Sequence, residues 1–219
     1  MNAYNKSMAL LKVLVVGTLL ISVILVVGST SVAAYQAAVT HPNGKVYFFD
    51  RDKYYRFDFQ SDQVDKVGTI GVDGWKGLPA STEAAILHPN GKAYFFLGDK
   101  YYRFNFQSDQ VDKVGTIGVN GWKGLSANIG AALLHPNGKA YFFQRNKYYR
   151  FDFQNDQVDK VGTIGVDGWK GLPANVDVAT EHPNGKAYFF MGNQYYRFDY
   201  RPDRVDKMGK IGSDGWKKL

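Results

Sequence analysis

The chain has 219 residues, 45% apolar and 16% aromatic, and carries a formal charge of +7. This length and apolar content suffice for one sizeable core and exclude a disordered chain. Cysteine is absent, which excludes a disulfide framework, a thiolate metal site and a cysteine nucleophile.

Residues 1–34 differ in kind from the rest. Lys6 and Lys12 precede an uncharged apolar run from Val13 to Val27, and small residues follow from Ser29 to Ala34. A basic start, an apolar middle and a small-residue end form the pattern of a secretory signal peptide, cleaved before Ala34 or Tyr35, so the mature protein is expected to be secreted. The alternative is an uncleaved anchor exposed outside, because Met8 to Val27 approaches the roughly 20 residues that span a bilayer. The first repeat begins near Tyr35 and leaves almost no linker, which favours cleavage. Loss of Lys6 and Lys12 lowers the net charge from +7 to +5. The remaining charge is interleaved, Lys66 and Lys76 and their copies alternating with Asp62 and Asp65. Such spacing makes a solvated face, whereas a nucleic-acid groove needs clustered basic residues, so no nucleic-acid partner is expected.

From residue 35 onward the chain repeats. The segment His88-Pro89-Asn90-Gly91-Lys92-Ala93-Tyr94-Phe95-Phe96 recurs with little change from His41, His135 and His182, and Trp75, Trp122, Trp169 and Trp216 keep the same 47-residue spacing. A period of this size marks supersecondary units that bury their apolar faces only against one another. Within one unit, the apolar run Glu83 to Leu87 reads as a strand. Asn90-Gly91 predicts a tight hairpin with positive φ at both central positions. The aromatic run Ala93 to Phe96 is a second strand, which turns at Leu97-Gly98-Asp99 and returns as Lys100 to Phe106. In that third strand Tyr102, Phe104 and Phe106 face one side and Tyr101, Arg103 and Asn105 the other, so both faces carry bulk and need neighbours. Gln110 to Val114 is a weaker fourth strand, and Gly115 to Leu125, with Trp122, is a loop or single helical turn leading to the next unit. Four such units without helical periodicity predict radial repetition, a closed ring of four blades, because an open row would leave two aromatic faces wet.

Tyr94-Phe95-Phe96 followed by Gly98-Asp99-Lys100-Tyr101-Tyr102-Arg103-Phe104, with Ala84-Ala85 before and Trp122-Lys123-Gly124-Leu125 after, closely resembles the hemopexin repeat. The resemblance covers all four units. It implies an all-β protein with one four-bladed β-propeller over residues 35–219, its blades spanning about 35–79, 80–126, 127–173 and 174–219. It also implies a non-catalytic binding protein, since the family includes extracellular haem carriers, recognition domains of matrix proteases, adhesion proteins and legume seed albumins. Many animal members tie the first blade to the last by a disulfide; this chain lacks one, as the legume albumins do.

The resemblance further implies a central tunnel ringed by backbone carbonyls. The matching positions are Gln36, Glu83, Gly130 and Asp177, then Ala38, Ala85, Ala132 and Ala179. Oxygen donors converging from four blades suit a hard cation such as calcium or sodium, and a polyamine is the elongated counterpart. Only Glu83 and Asp177 supply carboxylates, from opposite blades. The segments leading into units three and four differ here, at Gly130 against Asp177 and Leu134 against Glu181 among others, so symmetry is broken along the innermost strand.

Other readings stay open. His41, His88, His135 and His182 each precede Pro-Asn-Gly, which favours a turn role over haem ligation, because fourfold-related imidazoles do not converge. Arg56, Arg103, Arg150 and Arg197 stand two residues before Asp58, Asn105, Asp152 and Asp199, and pairing within a blade is expected of them. No nucleophile-and-base motif is present, so no enzyme is expected. The expected partners are a small cation or polyamine on the axis and an extracellular protein or glycan on the outer loops. A structural or adhesive protein assembling through its propeller is the alternative class.

Overall fold

The computed structural model describes residues 35–219; the signal pattern of residues 1–34 lies outside the described residues. The described chain folds into four antiparallel sheets of four strands each. The first sheet holds β1 (Ala37–Thr40), β2 (Val46–Asp50), β3 (Lys53–Asp58) and β4 (Gln63–Thr69). The second holds β5 (Ala84–Leu87), β6 (Ala93–Leu97), β7 (Lys100–Asn105) and β8 (Gln110–Thr116). The third holds β9 (Ala131–Leu134), β10 (Ala140–Gln144), β11 (Lys147–Asp152) and β12 (Gln157–Thr163), and the fourth β13 (Val178–Glu181), β14 (Ala187–Met191), β15 (Gln194–Asp199) and β16 (Arg204–Lys210). Each sheet keeps its strands in sequence order, and the first strands meet in a ring: β1 beside β5, β5 beside β9, β9 beside β13 and β13 beside β1. The result is the four-bladed propeller that the repeats predict.

The hairpin between the first two strands forms where Asn-Gly predicts it, but with different geometry. The Gly91 N–H donates to the His88 carbonyl at 2.9 Å, and in this turn Gly91 alone is left-handed, with φ 78°. Pro89 and Asn90 are thus the centre of an ordinary turn, for which proline presets φ, and Gly91 follows it in a three-residue loop. Asn90 pins the loop instead of bending it: its Oδ1 accepts the Lys92 N–H at 3.0 Å and its Nδ2 donates to the Tyr94 hydroxyl at 3.2 Å.

The two bulky faces of the third strand go to two different cores, as expected. Tyr101 packs with Trp122 and Phe96 on one side of its blade, and Phe104 with Trp75 and Phe95 on the other. Around the ring, T-shaped phenylalanine pairs join neighbouring blades: Phe49 with Phe95 at 5.1 Å, Phe96 with Phe142 at 5.4 Å, Phe143 with Phe189 at 5.2 Å and Phe190 with Phe48 at 5.3 Å. Such pairs are worth about 0.5–1.5 kcal/mol each beyond the area they bury.

The segment after the fourth strand is a loop without a helical turn, and it crosses to the next blade. The Trp122 N–H donates to Asp156 Oδ1 at 3.1 Å, and Lys123 bridges Gln157 in parallel. The last blade closes the ring by the same device. Trp216 N–H reaches Asp62 Oδ1 at 3.2 Å, and Val64 N–H donates to the Lys217 carbonyl at 3.0 Å. Closure therefore reuses the joint found between every other pair of blades.

Candidate axial site

Strand alternation decides which backbone groups meet the axis. In β9 the His135 N–H donates to the Lys139 carbonyl at 2.9 Å, so His135 and, two residues back, Leu133 address their own sheet. Leu134 points the other way, and its N–H donates to Glu181 of the neighbouring blade at 2.5 Å. The main-chain groups of Ala132, two residues before Leu134, face the axis for the same reason. All four inner strands share this register, which sets Ala38, Ala85, Ala132 and Ala179 at one level of the bore. Their methyl groups are buried in the cores between blades. A larger side chain there would force neighbouring strands apart.

Gln36, Glu83, Gly130 and Asp177 stand one residue before the strands, at the wide mouth of the bore. Each donates its N–H to the last phenylalanine of the second strand, at 2.8 Å for Gln36 and Glu83 and 2.9 Å for Gly130 and Asp177. Together with Tyr35, Gln144, Arg145 and Val176 they line a cavity of about 510 Å³. The side chains are held by the second hairpin of each blade. Glu83 Oε2 accepts the Gly98 N–H at 3.1 Å, Asp177 Oδ2 accepts the Gly192 N–H at 2.9 Å, and Gln36 Oε1 accepts the Arg51 N–H at 2.9 Å. Among the described residues no second donor reaches either carboxylate, so one oxygen of each is available to the cavity. Glu83 and Asp177 lie on opposite blades, as their sequence positions predict. Among the described residues no group of three or more His, Cys, Asp or Glu side chains forms a metal cluster, so a cation at the mouth depends on backbone carbonyls as well as these two carboxylates.

Two features of the mouth escape the sequence reading. Gly130 presents no side chain, and Gln144 turns inward there, its Nε2 donating to the Ala127 carbonyl at 2.6 Å. Arg145 brings a guanidinium to the same cavity from a left-handed position (φ 55°) that the first blade also fills with arginine, Arg51, and the second and fourth with Gly98 and Gly192. The difference of Gln144 and Arg145 from Leu97 and Gly98 of the preceding unit is visible in the sequence, but does not indicate which way the tip points.

The narrow end is set by Thr40, Leu87, Leu134 and Glu181, the last residues of the four inner strands. Glu181 bridges its two neighbouring blades: one carboxylate oxygen accepts the Leu134 N–H at 2.5 Å and the other accepts the Thr40 hydroxyl at 3.3 Å. The carboxyl is enclosed by protein while the residue keeps partial contact with the bore, and burial raises its pKa against the opposing pull of these donors.

The histidines take the turn role. In each copy Nδ1 accepts the N–H of the asparagine two residues on, at 3.0 Å, as for His88 and Asn90. Each ring also stacks on an aromatic residue of an adjacent blade, His88 on Phe153 at 4.5 Å and His135 on Tyr200 at 4.5 Å. The arginines pair within their blades as expected, but with other partners: Arg103 Nε meets Asp112 at 2.6 Å and Arg56 meets Asp65 at 2.7 Å, across to the fourth strand. Asp58 and Asp152 instead take Lys45 and Lys139.

A closed ring of four aromatic blades around a polar bore is a binding scaffold, and its repeats match one family model. The hemopexin model matches residues 36–80, 82–126, 129–174 and 176–215. The chain belongs to the hemopexin family. A search of curated proteins returns no match. Among solved structures, a hemopexin-fold protein from cow pea is similar over 84% of this chain and 95% of its own, at 22% identity and TM-score 0.71. A 2S albumin seed protein from Dolichos covers 83% and 96% at 21% identity and TM-score 0.70. A plant lectin with two metal-binding sites from Cicer arietinum covers 83% and 95% at 22% identity and TM-score 0.70. At these identities the likeness establishes the shared fold.

Proposed function

We propose that this chain is an exported, non-catalytic binding protein that holds a hard cation, calcium or sodium, or the ammonium groups of a polyamine, at the mouth of its bore. The observation that carries this reading is the pair Glu83 and Asp177. Two carboxylates from opposite blades, each fixed through one oxygen by a glycine N–H of its own blade, leave the other oxygen to a shared cavity. In this reading the backbone carbonyls of Gln36, Glu83, Gly130 and Asp177 would supply neutral oxygen donors, which suits a cation that takes six to eight oxygens in flexible geometry. The lectin from Cicer arietinum, described as having two metal-binding sites on the same fold, supports a metal by analogy. The signal pattern in the sequence of residues 1–34 supports export.

Titration calorimetry of chelator-treated protein with calcium, sodium and spermine tests this. Binding is expected for at least one of them, weakened about tenfold by Asp177→Asn and by Glu83→Gln, with thermal stability unchanged. Absence of heat with all three ends the reading.

A further inference from the structure

Each blade carries a lysine at the end of its first hairpin, an arginine in its third strand and an aspartate in its fourth, and three of the four add an aspartate at the end of the third strand. In the first blade Lys45 Nζ meets Asp58 Oδ2 at 2.7 Å and Arg56 Nε meets Asp65 Oδ1 at 2.7 Å, two cations against two carboxylates. The third blade repeats this with Lys139 on Asp152 at 2.9 Å, and the fourth with Lys186 on Asp199. The second blade has Asn105 in place of that aspartate. Lys92 Nζ is left with Asp112 Oδ2 at 3.3 Å, a carboxylate that already holds Arg103 Nε at 2.6 Å. Two cations face one carboxylate there, which leaves one positive charge uncompensated in this blade alone.

The substitution also turns an acceptor into a donor. In every blade one oxygen of this side chain accepts the N–H two residues on, Asp58 Oδ1 from Gln60 at 2.9 Å and Asn105 Oδ1 from Gln107 at 3.0 Å. That bond orients the Asn105 amide, so its Nδ2 stands where Asp58 presents Oδ2 to a lysine. An amide NH2 and an ammonium group, both donors, thus address the spot that an oxygen fills in the other blades. No acceptor among the described residues takes the Asn105 Nδ2 protons. The spot opens on a cavity of about 390 Å³, lined by Asn90, Lys92, Asn105 and Gln107 and, on its apolar side, by Phe106 and by Pro42 of the preceding blade.

We propose that this cavity binds one small organic carboxylate, with one oxygen on the Lys92 ammonium, the other on the Asn105 amide, and its apolar body against Phe106 and Pro42. The ligand supplies the carboxylate that the second blade lacks. Two donors and one net positive charge match the two oxygens and single charge of a carboxylate. Phosphate would bring a second charge and further oxygens against an apolar wall that offers them no donor. The site shares no residue with the mouth of the bore and takes a ligand of the opposite charge.

The test is titration calorimetry with sodium benzoate near neutral pH in about 0.1 M salt, where charges more than about 10 Å away are screened. Wild type is expected to bind one benzoate per chain, about tenfold more tightly than acetate, which lacks the ring, and more tightly than phosphate. Asn105→Asp restores the carboxylate of the other blades and is expected to weaken benzoate at least about tenfold without lowering thermal stability. Lys92→Gln is expected to weaken it as much. Asn120→Asp adds the same charge elsewhere in the second blade, also copying the other blades, and is expected to leave binding unchanged. Asp58→Asn gives the first blade the same pair of donors and is expected to raise the stoichiometry from one to two. The double variant Glu83→Gln with Asp177→Asn is expected to retain the site whether or not it loses calcium or spermine, which separates this proposal from the mouth reading. No binding to wild type, preference for phosphate, affinity unchanged in Asn105→Asp, or a stoichiometry that stays at one in Asp58→Asn overturns the proposal. Benzoate lost on Arg145→Ala but kept in Asn105→Asp and Lys92→Gln would place the anion at the mouth and overturn it equally.

Discussion

The joints between blades and the bore they enclose follow opposite rules. At the joints the four copies agree closely: each tryptophan lies 4.7–4.9 Å from a third-strand phenylalanine of the next blade, as Trp75 to Phe104, Trp122 to Phe151, Trp169 to Phe198 and Trp216 to Phe57. Along the bore the copies disagree at both ends, Gln36, Glu83, Gly130 and Asp177 at the mouth and Thr40, Leu87, Leu134 and Glu181 at the base. Packing needs the same solution four times, because every blade must fit a neighbour on each side. A ligand on the axis meets all four blades at once, so one change in one copy is enough to make the site asymmetric and charged. Symmetric positions therefore carry the packing, and the asymmetric ones are where binding is proposed.

The largest effect that tests this division is loss of a joint tryptophan. Trp122→Ala removes a side chain wedged among Phe96, Phe142 and Phe151 and is expected to cost about 3–5 kcal/mol in urea unfolding. Trp216→Ala, at the closing joint, is expected to cost the same within about 1 kcal/mol, since the backbone bridge and the Asp62 contact repeat those elsewhere. A much smaller loss at Trp216 would mean that the ring is held by three joints with the fourth merely touching.

A smaller effect is expected at Gly115. A methyl group there would lie 2.4 Å from the ring of Tyr101, whose hydroxyl is fixed by donation to the Asn120 carbonyl at 2.8 Å. The ring cannot move aside without losing that bond, so Gly115→Ala is expected to cost about 1–3 kcal/mol, and Gly68→Ala and Gly162→Ala, under Tyr54 and Tyr148, the same. A thermal melt unchanged by all three would show that the outer strands yield independently of the cores.

The sequence was legible wherever a residue acts on its own strand. The alternation of Tyr101 to Asn105 announced two buried faces, and the spacing of the tryptophans announced four equivalent units. Positions whose meaning depends on a neighbouring blade were not legible. Glu181 differs visibly from Leu134, yet nothing in the chain says that its carboxylate reaches the neighbouring blade at the very residue it replaces. Arg145 shows the same limit: its place at a hairpin tip was visible, but the direction of that tip is set by the ring. Asn90-Gly91 misled for a local reason, since Pro89 ahead of it preset an ordinary turn and left only Gly91 to take the left-handed position.

The smallest effect is the pH dependence, which separates the two regions by sign. Burial lowers the pKa of all four histidines, and a proton on Nδ1 would also end the bond from the asparagine N–H. Their folded pKa values lie below the unfolded value of about 6.5, so the stability they contribute is complete above that pH and is lost as pH falls below it. Glu181 has the opposite sign. Its folded pKa is raised by burial, so the folded state holds a proton that the unfolded chain has released above about 4.3, and stability declines as pH rises from there. Urea midpoints measured against pH are expected to show both slopes in wild type. Glu181→Gln should remove the second and keep the first, while His88→Asn should shallow the first by about a quarter, because four similar copies share it. A pH profile identical in wild type and Glu181→Gln would show that the Glu181 carboxylate is as well solvated folded as unfolded.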